Sequence, residues 1–157
     1  MSSTRGLPSL RTVADYQFGR GVGDALFPPE ATDLEVRRST SGRPRQVVCD
    51  AGRIVSYGTD GRFTLGLEGG RRLRDALEHP GYSVVVGDES APFVRDGKNV
   101  FAKFVSAVDD RVRPTDEVAV VHEDGTLLAV GRAELSADGM RDFDSGMAVK
   151  VRNGADD

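Results

Sequence analysis

The spacing of apolar residues changes along this chain, and each change marks a predicted element. Met1 to Arg11 is polar and aperiodic and reads as a loose arm. Phe18, Val22 and Leu26, joined by Ala25, recur at i, i+4 and i+8, which predicts a helix; Thr12 with Asp15 three residues on gives it a variant capping box, and Pro28-Pro29 stops it. Gly19, Gly21 and Gly23 each cost about 1 kcal/mol relative to alanine inside a helix, so this segment is expected either to break or to admit a close backbone neighbour. From Leu34 to Leu65 the period falls to two. Leu34-Glu35-Val36-Arg37, Arg45 to Cys49, Arg53 to Tyr57 and Arg62 to Leu65 are strands, separated by turns at Ser41-Gly42, Asp50-Ala51-Gly52 and Asp60-Gly61, and together predict an antiparallel meander. Leu73, Ala76 and Leu77 then share a helical face from which Arg71, Arg72 and Arg74 point away, and His79-Pro80-Gly81 ends that helix.

Beyond Gly81, Tyr82 to Val86 reads as a strand closed by a Gly87-Asp88-Glu89 turn. Val100, Phe101, Phe104 and Val105 follow at the i, i+1, i+4, i+5 spacing of one helical turn, a predicted buried plug with Lys98 and Lys103 at its rim. Strands are expected to wrap this plug: Glu117 to His122, Thr126 to Leu135, and Met147 to Arg152, the last with Met147, Val149 and Val151 inward and Lys150 and Arg152 outward. Ser136 caps a short helix carrying Met140 and Phe143, and Asn153 to Asp157 reads as a tail.

Composition narrows the possible functions. The 157 residues suffice for one ordinary domain or two small ones, contain no apolar run of bilayer length, and begin without an apolar leader, so a cytoplasmic protein with no membrane partner is expected. Cys49 is the single cysteine, and with only His79 and His122 beside it no tetrahedral zinc site is expected; it reads as a small apolar residue of its strand. The net charge of -4 is uneven: residues 1 to 80 carry 12 cations and 10 carboxylates, whereas residues 81 to 157 carry 9 and 15, leaving the second half at -6. Arginine outnumbers lysine 18 to 3 and aspartate outnumbers glutamate 17 to 8, a bias associated with a salt-rich cytoplasm or a GC-rich genome.

The sequence Gly-Lys-Asn-Val-Phe-Ala-Lys at 97 to 103, followed by Arg113 to Val118, Leu128 to Ala133 and Gly146 to Arg152, resembles a PUA domain, a small RNA-binding pseudo-barrel. Ala14 to Gly19, Gly21-Val22-Gly23 with Leu26-Phe27-Pro28, Arg43 with Arg45, and Phe63-Thr64-Leu65 before Leu67-Glu68-Gly69 resemble the C2 domain that directly precedes PUA in the archaeosine tRNA-guanine transglycosylase family. The pairing, in the family's order, spans roughly residues 12 to 154. It implies an α+β chain of two domains: a small helix-covered antiparallel sheet over residues 12 to 80, then a PUA-type β pseudo-barrel over residues 81 to 154.

The same resemblance implies tRNA or another structured RNA as partner. The family's acidic nucleophile, on a large barrel, and its cysteine-rich zinc site have no counterpart in these residues, so no catalytic residue, metal or cofactor is assigned. The carboxylate pairs Asp109-Asp110, Asp116-Glu117 and Glu123-Asp124 fall in predicted turns and read as solvated surface. Gly19 to Gly23 lacks the ending of a phosphate loop and follows no strand. The RNA face implied by the family lies around the plug and its neighbouring strand, which nominates Arg95, Lys98, Asn99, Lys103, Arg132, Lys150 and Arg152. Arg37, Arg38, Arg43 and Arg45 form a second basic cluster, readable as an RNA or partner contact or as an ordinary charged hairpin end. Two functions stay open: a non-catalytic tRNA-binding accessory of the archaeosine pathway, and a protein-interaction subunit completing a separately encoded catalytic chain.

Overall fold

Leu7, Leu10, Ala14 and Phe18 line one buried face of the first helix, and a proline in its opening turn, where a missing N–H costs nothing, fixes its start. The computed structural model describes residues 4–76 and 81–155. Contacts divide the chain into the units Met1–Ala76 and Leu77–Asp157.

In the first unit α1 (Leu7–Phe18) follows Gly6 in the left-handed conformation. Residues 7 to 11 are therefore helix rather than loose arm, and Thr12 is interior. Its hydroxyl bonds back to the Pro8 carbonyl at 3.2 Å instead of capping. The helix breaks at Gly19 and Gly21, both at positive φ, before α2 (Val22–Leu26). Both expectations for the glycines hold, because a Cβ on Gly23 would sit 2.3 Å from the Arg11 carbonyl oxygen. The four expected strands form β1 (Glu35–Arg38), β2 (Pro44–Cys49), β3 (Gly52–Tyr57) and β4 (Phe63–Leu65), an antiparallel meander in chain order. Helix α3 (Leu67–Ala76) buries Leu73 and lies so close on the sheet that a Cβ on Gly69 would meet the Ile54 carbonyl oxygen at 2.0 Å.

The expected outward set on α3 needs correction. Arg72 turns inward, donating to the Leu26 carbonyl at 2.9 Å and to Glu68 at 3.0 Å, with the buried Cys49 sulfur 3.5 Å away, while Ala76 is exposed. The guanidinium satisfies a carbonyl at the end of α2, a role that helical spacing does not encode. Leu77, His79 and Pro80, assigned to the end of this helix from sequence, lie outside the described residues, as do Asp156 and Asp157 of the expected tail.

The second unit is one six-stranded sheet, ordered β6-β10-β9-β8-β5-β7. Its strands are β5 (Ser83–Val86), β6 (Val100–Phe101), β7 (Val105–Val108), β8 (Glu117–His122), β9 (Leu127–Ala133) and β10 (Met147–Gly154), all paired antiparallel except β5 with β8. Only a 3-10 turn, Ala102–Phe104, separates β6 from β7, the two outermost strands. The chain thus passes from one sheet edge to the other in three residues, which holds the edges close and makes the sheet a nearly closed barrel.

This turn corrects the expected plug. The buried residues are Val100 and Ala102, whereas Phe101 is 45% exposed and Phe104 and Val105 are only half-buried. The segment is two short strands joined by a tight turn, and alternation at Val100 and Ala102 prevails over the helical stripe. The barrel is filled by Val84, Val86, Val118, Val120, Val149 and Met140, among others. Helix α4 (Ala91–Arg95) inserts Ala91 and Val94, and α5 (Ala137–Asp142) is capped as expected by the Ser136 hydroxyl accepting from Gly139 N at 3.0 Å. Met140 is buried, but Phe143 is 53% exposed. Strand β10 runs through Asn153 and Gly154, which shortens the expected tail.

Candidate nucleic-acid interface

Strand β10 is the spine along which the nominated residues gather. Arg132 on β9 faces Lys150 on β10 and, on its other side, Glu117 on β8, so these three side chains form one row across the sheet. On the opposite edge of β10, Asn99 accepts a 2.9 Å hydrogen bond from Val151 N just before β6. Lys98 precedes it, and the end of α4 packs on the end of β10 so tightly that a Cβ on Gly154 would lie 2.3 Å from the Arg95 carbonyl oxygen. Lys103 sits in the 3-10 turn, whose Ala102 N donates to the Gly146 carbonyl at 2.9 Å.

The seven residues are not equivalent. The ladder shifts between Val151 and Asn153, leaving Arg152 as the bulge residue. Its guanidinium is held by Glu117, with Nη1 3.2 Å from Oε2 and a second contact from Nη2 to Oε1. Glu117 is only 5% exposed, so this carboxylate, expected on a solvated turn, instead needs a partner in the barrel wall. Asn99 is likewise committed to backbone, and Arg132 donates to Glu134 at 2.8 Å. Arg95, Lys98, Lys103 and Lys150 are exposed and make no ion pair among the described residues. Lys103 stands 5.0 Å from the Phe104 ring centroid.

Two aromatic residues join this set without having been nominated. Phe93 on α4 is 63% exposed, and Phe101 on β6 is 45% exposed opposite Met147. Exposed rings beside free cations can stack on unpaired bases. The signal was a plug pattern that assigned Phe101 to the core, so only its failure to pack reveals the ring.

The second basic cluster is largely occupied by its own hairpin. Arg37 pairs with Glu35 at 3.7 Å, Arg38 donates to the Gly42 carbonyl at 2.8 Å and to that of Arg5, and Arg43 reaches the Gly58 carbonyl at 3.4 Å. Arg45 is exposed. Asp109, expected in solvent, is 7% exposed and organises backbone. His122 joins two turns, with Nε2 2.6 Å from Asp88 Oδ1 and Nδ1 3.0 Å from Asp124 N. No described helix is long and apolar enough to cross a membrane.

Comparison with known proteins agrees with this architecture. The family described as the patch-forming domain C2 of tRNA-guanine transglycosylase matches residues 8–80, and the PUA domain matches residues 82–155. The tRNA-guanine(15) transglycosylase of Pyrococcus furiosus is 45% identical over 149 residues, 94% of this chain and 25% of that protein. That of Methanothermobacter thermautotrophicus is 43% identical over 150 residues, 94% of this chain and 22% of that protein. The chain thus spans about a quarter of the length of these relatives. A hypothetical protein from the hyperthermophilic archaeon Pyrococcus horikoshii has the same fold, with a TM-score of 0.76, 22% identity and coverage of 99% of this chain and 93% of that one. The chain thus carries the patch-forming C2 domain of tRNA-guanine transglycosylase followed by a PUA domain.

Proposed function

We propose that this C2 and PUA pair is a cytoplasmic, non-catalytic tRNA-binding accessory of archaeosine formation. The observation that carries the reading is the group Arg95, Lys98, Lys103 and Lys150, exposed and without ion pairs among the described residues in a half of the chain at -6, beside the exposed rings of Phe93 and Phe101. In an acidic unit, cations left unpaired on one strand's flanks suit phosphate contact, and adjacent rings suit stacking on an unpaired base. Arg132 and Arg152 frame this surface, and Asn99 fixes its edge. The matched relatives bear the name of a tRNA-modifying enzyme, which supports tRNA as the ligand. The non-catalytic part rests on the extent of the match, about a quarter of those enzymes.

That same extent favours a second reading, in which the chain completes a separately encoded catalytic subunit and the C2 unit docks on it. Gel shift with the purified chain separates the two. Binding of tRNA by the chain alone supports the accessory reading, whereas binding that requires an added transglycosylase chain supports the second. Incorporation of labelled guanine into tRNA by the purified chain would overturn both.

A further inference from the structure

A cavity of about 500 Å³ opens in the second unit, lined by Tyr82, Arg111, Val112, Arg113, Ser136 and Ala137. Its size suits a single small ligand. Its wall is unusually well fixed for an exposed surface. The Asp109 carboxylate accepts from Tyr82 N at 2.6 Å and from Arg111 N at 3.1 Å, and takes Arg111 Nε at 3.0 Å and Nη2 at 2.9 Å. These bonds hold the guanidinium over the Tyr82 ring, 4.8 Å from its centroid. Arg111 is nevertheless 52% exposed along its side chain, so a planar cation is oriented in advance with a face left to solvent.

The backbone around the cavity is held in an uncommon shape. Tyr82, at φ 44°, and Thr115, at φ 76°, are the two non-glycine residues with positive φ among those described, and both belong to the segments that Asp109 and Asp116 tie together. For a bulky side chain that conformation persists only where its surroundings impose it.

Charges at the rim are sorted in the same way. Asp110 and Asp138 also line the cavity, but both are engaged by Arg141, the second at 3.5 Å. Arg113 makes no ion pair among the described residues. The cavity therefore combines a prepared stacking plane, an apolar floor of Val112 and Ala137, a hydroxyl at Ser136 and one uncommitted guanidinium.

We infer that this cavity binds a nucleoside monophosphate unit, the base stacked on the Arg111 plane over Tyr82 and the phosphate on Arg113. Stacking on a guanidinium tolerates any base, and Arg113 supplies a charge-assisted, two-donor contact for phosphate. The unit has two sources of identical chemistry, a free nucleotide or the nucleotide at a single-stranded RNA end. The site is separate from the β10 surface and does not depend on tRNA binding there.

The test is amide NMR of the full chain titrated with adenosine 5′-monophosphate, adenosine, inorganic phosphate and a short 5′-phosphorylated oligonucleotide. Saturable shifts at Tyr82, Arg111, Arg113 and Ser136 are expected with the monophosphate, with weaker ones for adenosine or phosphate alone. Arg113→Ala should lower monophosphate affinity roughly tenfold and leave adenosine unchanged, as loss of a charge-assisted contact to phosphate predicts. Arg111→Lys, which keeps the charge but removes the plane, should weaken monophosphate and adenosine alike. An oligonucleotide that moves the same signals at lower concentration than the monophosphate identifies an RNA end; the reverse order identifies a free nucleotide. The assignment is overturned if neither ligand moves these signals, if phosphate alone moves them as strongly, or if Arg113→Ala changes nothing. Lys98→Ala and Lys103→Ala should leave the monophosphate titration intact even where they weaken tRNA binding.

Discussion

Arg152, the bulge residue of β10, closes a two-pronged ion pair on Glu117 of β8, across the intervening β9. A residue nominated for RNA is thus also a strut of the barrel wall. Arg152→Ala would leave a nearly buried carboxylate without its cation. Because the Arg152 side chain is 33% exposed, water offsets part of the loss, and destabilisation of roughly 2 to 3 kcal/mol is expected, below the full cost of breaking a buried pair. Adding Glu117→Gln should recover part of that. Urea unfolding of the two single variants and the double variant checks it, and additive losses would refute the coupling.

The turn at the far end of β8 gives a pH signature. The His122 pKa is raised above its ordinary value, first by the hydrogen bond to Asp88 and further by Asp124, against an opposing contribution from burial. A raised folded pKa means that protonated His122 stabilises the fold fully below the unfolded value of about 6.5, and that this contribution disappears as pH rises through the higher folded value. Asp124 is held at about 2, chiefly by bonds from Thr126, so its contribution is present above about 3.9 and is lost as pH falls toward 2. An NMR titration of the imidazole should give a midpoint above 6.5 that Asp88→Asn lowers. A midpoint unmoved by that change would rule out the pair as its cause.

Gly154 sets the position of the free cations. Its absent Cβ admits the Arg95 carbonyl oxygen at 2.3 Å and Gly97 N at 2.7 Å, so the segment leading to Lys98 rests directly on β10. Gly154→Ala must displace backbone rather than a flexible side chain. It should destabilise by roughly 1 to 3 kcal/mol and weaken tRNA binding more than Gly125→Ala, which strains a turn at φ 94° but whose new Cβ meets nothing within 4 Å. Equal effects of the two substitutions on tRNA affinity would mean that this packing does not position the surface.

What the sequence can express depends on the range of the interaction. Alternation from Leu34 to Leu65 suffices for the meander because each strand buries one face next to its sequence neighbour, and Ser136 announces α5 because a cap acts within one turn. The start of α1 escapes because Leu7 and Leu10 lie within polar residues and their burial is contributed by the rest of the unit. The 100 to 105 segment misleads because i, i+1, i+4, i+5 suits a helical turn as well as two strands flanking a 3-10 turn, and only sheet closure decides between them. Motif resemblance brings Arg95, Lys98 and Lys103 to β10, but the pairing of Arg152 with Glu117 joins residues 35 apart in sequence and depends on a bulge. The stacking of Arg111 on Tyr82 is equally remote.

The second unit should fold without the first. Its hydrophobic cluster is drawn entirely from residues 82 to 151, and every strand of its sheet lies within it. A fragment of residues 81–157 is expected to give dispersed amide signals and a cooperative urea transition. A broad, non-cooperative transition would mean that the halves share one folding unit.

Salt dependence tests how an acidic protein meets a polyanion. With the chain at -4 and its second half at -6, long-range electrostatics opposes rather than drives approach to tRNA. Salt near 1 M shortens the screening length to about 3 Å, which removes the repulsion along with most of the counterion-release gain. Contacts at short range must then decide. Lys98, Lys103, Lys150 and the exposed edge of Arg152 offer only a few phosphate partners, so the logarithmic slope of affinity against salt should be shallow, about one unit or slightly less per contact. Lys98→Ala and Lys103→Ala should each reduce it by about that amount, whereas Phe93→Ala and Phe101→Ala should weaken binding by roughly 1 to 3 kcal/mol per base stacked without changing the slope. A salt series of tRNA affinity for these variants separates the two. A steep slope that neither lysine substitution alters would move the main contact to the Arg37 to Arg45 hairpin, where Arg37, Arg38 and Arg45 are exposed, and would refute the β10 surface as the RNA face.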